Sequence, residues 1–69
     1  MHTDMQKLKA KIVECRMTQE SFAHRLGINV STLYRKMKAE GVSFTIGEMH
    51  QIVEILGLTV QEANQIFLQ

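Results

Sequence analysis

Proline and tryptophan are absent, cysteine occurs once, and no lysine or arginine follows Lys38. Each gap narrows what the chain can be. With no proline, and with no linker, repeat or low-complexity stretch, nothing interrupts its periodic segments. With few aromatic side chains, the core has to be aliphatic, with methionine filling gaps. Cys15 cannot form an internal disulfide and has no metal-ligand partner at a suitable spacing, which fits a reducing cytoplasm; it reads as a small buried apolar group. No apolar run is long enough to span a bilayer, and no signal-peptide pattern is present.

What is there is globular in type: 45% of the 69 residues are hydrophobic and they spread along the whole length. That length suits one domain, residues 1–69, with one modest core, and is too short for a catalytic cleft between two layers. The net charge of +1 hides a division. All eight Lys and Arg residues lie between Met5 and Lys38 beside only Glu14 and Glu20, a surplus of about six positive charges. From Ala39 onward Glu40, Glu48, Glu54 and Glu62 stand alone. One half can face a polyanion and the other cannot.

Five segments carry a capping residue followed by apolar positions three or four apart, which predicts an all-α, five-helix bundle. Thr3 with Gln6 offers a capping box for the first helix, with Met5, Leu8, Ile12 and Cys15 as its stripe and an end near Arg16. Thr18 caps a short second helix with Phe22, Ala23 and Leu26 inward, stopped by Gly27. Asn29 caps a third, running to about Lys38, with Leu33 and Met37 in the core. Ala39 to Ser43 reads as a loop. Thr45 with Glu48 opens a fourth helix, onto whose Met49 Phe44 staples; it carries Ile52, Val53 and Leu56 and stops at Gly57. Thr59 with Glu62 opens a fifth, containing Val60, Ala63, Ile66 and Phe67.

Between Gln19 and Met37 the requirements of a helix-turn-helix are met. Ala23 is small where two helices would cross closely, Gly27 permits a positive backbone angle, and Phe22, Leu26, Ile28 and Leu33 supply apolar contacts. Through the string TQESFAHRLGINVSTLYRK the chain resembles the lambdoid phage Cro and repressor family of helix-turn-helix DNA-binding proteins. FTIGEMHQIVEILGL is similar to the fourth helix of short Cro-like regulators, so the resemblance covers nearly the whole chain. One departure is Lys36, which stands where many members carry an aliphatic residue; Met37 then takes over the packing and leaves the helix's rotation open by part of a turn.

The resemblance implies a lambda-repressor-like DNA-binding domain whose third helix enters the major groove. It nominates Val30 for a thymine methyl, Ser31 as donor or acceptor, Arg35 for a guanine edge, and Tyr34 beside them. Gln19, at the start of the second helix, matches the family residue that binds a backbone phosphate; Arg16, Thr32, Lys36 and Lys38 are further phosphate candidates. Local packing of Val30, and plain solvent exposure of Gln19 and Ser31, are the structural alternatives. Lys7, Lys9 and Lys11 point around their helix in different directions and stay outside the site.

His2, His24 and His50 fall on separate elements with no zinc spacing, and no nucleophile, carboxylate pair or phosphate-cradling loop is in place. No metal, cofactor, small-molecule ligand or enzymatic activity is expected. The implied partner is double-stranded DNA carrying a near-palindromic operator, bound by a homodimer that forms in solution or only on DNA. The candidate dimer contact is Ile66, Phe67 and Leu68, unless Phe67 and Leu68 close the monomer core instead. The expected role is transcriptional repression of the phage or prophage type, in the cytoplasm of a bacterial host beside the nucleoid. The other class left open is a helix-turn-helix module with a protein partner, such as an antitoxin or adaptor.

Overall fold

The computed structural model describes residues 3–38 and 44–68. Helices α1 (Met5–Glu14), α2 (Gln19–Leu26), α3 (Val30–Lys38), α4 (Ile46–Leu56) and α5 (Val60–Phe67) follow one another, and no strand occurs among the described residues. None of these helices is long and apolar enough to cross a membrane. The expected loop from Ala39 to Ser43 lies outside the described residues.

Local chemistry sets most of the boundaries. Thr45 Oγ1 accepts from the Glu48 amide at 3.1 Å while the Glu48 carboxylate accepts from the Thr45 amide at 2.8 Å. Thr59 and Glu62 repeat the exchange at 3.1 and 2.9 Å. On α2 the partner of Thr18 is Ser21, whose hydroxyl accepts from the Thr18 amide at 3.2 Å. Gly27 at φ 80° and Gly57 at φ 62° stop α2 and α4 in the left-handed conformation that glycine adopts without strain. The start of α1 departs from expectation. Asp4, not Thr3, is its cap: the Asp4 carboxylate accepts from the Lys7 amide at 3.1 Å, and a carboxylate answers the helix dipole better than a hydroxyl.

Helix α2 packs against both α3 and α4, and α1 packs against α5. Their inward faces share one cluster, with Leu8, Ile12, Phe22, Leu33, Phe44 and Ile52 almost wholly removed from solvent. Phe44 is buried immediately before the α4 cap and Met49 packs against the same cluster, the two positions of a hydrophobic staple. Cys15 is half-buried, its thiol donating to Leu56 O at 3.5 Å. The proposed dimer contact needs correcting. Ile66 and Phe67 are 3% and 5% exposed and belong to the core, whereas Leu68 is 59% exposed. The Asp4 amide donates to Ile66 O at 2.6 Å, so the cap of α1 is tied to α5 where those side chains turn inward.

Among the described residues two ion pairs join helices. Lys11 Nζ meets Glu62 at 2.6 Å, linking α1 to α5, and Lys36 Nζ meets Glu48 at 3.2 Å, linking α3 to α4. The Lys11 ammonium and the Thr59 amide hold the Glu62 carboxyl below its ordinary 4.5. Burial pushes Glu48 upward, but hydrogen bonds from Thr45 and Lys36 together outweigh it and the net direction is down. Lys11 is raised above 10.5, chiefly by Glu62. Unfolding returns both carboxyls to ordinary values, so acidification favours the unfolded chain, which binds protons first. The lysine's contribution is present below its unfolded value and disappears as pH rises past the folded one. We expect the thermal midpoint to be level around neutral pH and to fall steadily below about pH 4.5, with Glu62→Gln flattening part of that slope in a pH series of melts. A midpoint that rises on acidification would contradict the pairing.

Candidate nucleic-acid interface

The α2–α3 pair is joined by a short turn whose geometry is set by hydrogen bonds. The Gly27 amide donates to His24 O at 3.1 Å and the Ile28 amide to Ala23 O at 3.0 Å, closing α2 before the chain reverses. Asn29 precedes α3 and its carbonyl accepts from the Leu33 amide at 3.0 Å. Ala23 is buried in the core, where a larger side chain would force the packing apart. His24, Gly27, Ile28, Asn29 and Thr32 line a shallow concavity along this turn. His24 thus lines the same concavity as Thr32 on the first turn of α3.

Leu33 and Met37 are the buried residues of α3, so the helix turns that side inward. At about 100° per residue, Ser31, Arg35 and Lys38 lie roughly opposite Leu33, and all three are exposed, as is Tyr34 at the edge. Of the four residues nominated for base reading, the structure thus groups Ser31, Tyr34 and Arg35. Val30 turns partly inward and packs against the core. The Arg35 guanidinium donates to Thr32 Oγ1 at 3.4 Å, one turn back on the same helix. That bond steadies the long side chain without neutralising it.

The phosphate candidates separate. Lys38 and Arg16 are exposed and have no ion-pair partner among the described residues. Arg25, exposed near the end of α2, is likewise without one and was not nominated from sequence. Gln19 is half-buried at the first position of α2, ahead of the first helical bond from the Phe22 amide to Thr18 O. Thr32 is half-buried beside the concavity. Lys36 goes elsewhere: its ammonium is committed to Glu48 and lies 5.8 Å from the centre of the Phe44 ring. Among the described residues no three His, Cys, Asp or Glu side chains come together as a metal site would need. His24 and His50 are exposed; His2 lies outside the described residues.

Five short helices around a core of aliphatic side chains and three phenylalanines define a small all-helical protein, and among the described residues α3 presents exposed basic side chains without ion-pair partners. The chain belongs to the family described as protein of unknown function (DUF739), which it matches over residues 1–69. No curated protein and no solved structure matches it. The family description assigns no activity, so the functional reading rests on the residues themselves.

Arg16 differs from every other non-glycine residue described, because its φ is +59°. Its amide donates to Val13 O at 2.9 Å and the Met17 amide to Ile12 O at 3.1 Å, the closure a glycine usually makes after a helix. An L-residue held there costs about 1 kcal/mol. We expect Arg16→Gly to raise the unfolding free energy by roughly 0.5–1 kcal/mol, part of the relief being offset by the freer unfolded chain. If the strained position is kept for its cation, the same variant binds duplex DNA of any sequence more weakly. Calorimetry and a titration on one preparation check both effects, and a destabilised variant would refute the account of the backbone.

Proposed function

We propose that this chain is a sequence-specific double-stranded DNA-binding protein, in which α2 and α3 form a helix-turn-helix and the exposed face of α3 reads the major groove. The observation that carries this reading is the face itself. Ser31, Tyr34, Arg35 and Lys38 are exposed on α3, with Arg35 and Lys38 free of carboxylate partners among the described residues. Glu20 is the only acid in the whole α2–α3 stretch, so phosphates can approach from that side at little electrostatic cost. Helices α4 and α5 carry no Lys or Arg and supply carboxylates instead.

In this reading Arg35 makes two parallel hydrogen bonds to a guanine edge, Ser31 and Tyr34 contact neighbouring edges, and Lys38, Arg16 and the start of α2 at Gln19 hold the backbone. Repression follows from occupying an operator, as in the Cro-like regulators the sequence resembles. A module of this size contacts few base pairs, so two copies on half-sites about one helical turn apart supply the remaining specificity. Since Ile66 and Phe67 are used inside the monomer, of the three nominated contacts only Leu68 is left to a partner copy.

The contrast between two variants tests the reading. Arg35→Ala should lose about 1–3 kcal/mol of preference for the specific duplex while its affinity for random DNA falls only modestly. Lys38→Ala should weaken binding to every duplex alike and reduce the slope of log affinity against log salt by about one. Titrations of both variants on both duplexes at several salt concentrations read these effects separately. Equal losses on specific and random DNA for Arg35→Ala would remove α3 as the reading element.

A further inference from the structure

Leu33 and Met37, four apart and nearly one above the other, hold α3 against the core chiefly along one line, with Val30 packing only partly beside it. A helix fixed along one line can still roll about it. Lys36 flanks that line, and its ammonium does not reach for solvent. It donates to Glu48 Oε1 at 3.2 Å, the same oxygen that accepts from the Thr45 amide at 2.8 Å. The carboxylate is thereby fixed to the start of α4. The Phe44 ring beneath the ammonium is buried in the core. With side chains 19% and 15% exposed, the pair is sheltered from the water and salt that weaken surface ion pairs.

We propose that the Lys36–Glu48 pair is the tether that sets the roll of α3, making Glu48 a positioning residue for base discrimination although it lies on α4. The inference rests on the DNA-reading role of α3 given above. Geometry gives it leverage. A roll of about 20° moves a group some 6 Å from the helix axis by about 2 Å, whereas a paired contact such as Arg35 to a guanine edge tolerates only about 0.5 Å. Phosphate contacts through flexible side chains such as Lys38 absorb the same roll. Loss of the tether therefore acts on discrimination and leaves general affinity nearly unchanged.

The test compares Lys36→Met, Glu48→Gln, their double variant and Lys36→Arg on the wild type's preferred duplex and on random duplex at one salt concentration. Glutamine keeps the capping acceptor for the Thr45 amide, methionine keeps the apolar stem, and arginine keeps a cation able to reach Glu48. We expect the ratio of specific to random affinity to fall about tenfold in each single loss variant, with no further fall in the double variant and recovery in Lys36→Arg. Affinity for random DNA, which a fold defect would lower equally, should stay within about twofold. Unchanged ratios in both single variants, or equal losses on the two duplexes, would overturn the tether while wild-type discrimination left the DNA-reading role standing. A wild type that showed no preference between duplexes would overturn that role and the tether together.

Discussion

Helices of eight to eleven residues do not persist alone in water, because the cost of nucleating each is repaid only over a longer run. All five therefore depend on a shared apolar cluster, and the rest of the structure follows from that dependence. Phe22 on α2, Leu33 on α3, Phe44 before α4 and Ile52 on α4 are all essentially excluded from solvent in one cluster. Helix α2 lies against both α3 and α4, so the placement of α3 depends on the core beneath it. Ile66 and Phe67 are drawn into the same cluster, which is why they do not form a surface.

Charge is laid out around that core by pairing rather than by sequence position alone. Of the eight basic side chains, Lys7, Lys11 and Lys36 meet carboxylates of the described residues, Lys11 and Lys36 across helix junctions. Those two contribute to holding the bundle together. Arg16, Arg25, Arg35 and Lys38 are left exposed on or beside α2 and α3, and Lys9 is exposed on α1. A surplus of positive charge that looked diffuse along the chain is in this way divided into structural pairs and exposed cations, four of the latter on or beside α2 and α3.

What could be read from sequence was whatever depends on near neighbours. The boxes of Thr45 with Glu48 and Thr59 with Glu62 and the stops at Gly27 and Gly57 are short-range devices, and the structure contains each of them. The pairing of Leu33 with Met37 follows from helical period alone. Asp4 displaced Thr3 as the first cap by one residue, within the usual slack of helix ends. The left-handed Arg16 left no mark in the sequence, because only glycine or asparagine advertises that conformation. Lys36 could be seen as out of pattern, but its partner lies twelve residues on, across the α3–α4 connection. Long-range pairing of that kind has no local signature, so the engagement of the Lys36 ammonium with Glu48 could not be read from the neighbouring residues.

The central claim is that the exposed face of α3 selects a DNA sequence. Selection of bound duplexes from a fully random pool by the whole chain, sequenced over successive rounds, tests it most directly. The account predicts enrichment of one near-palindromic site whose half-sites are centred about ten base pairs apart. A pool that stays random through the rounds, with weak binding that vanishes as salt rises, would contradict it.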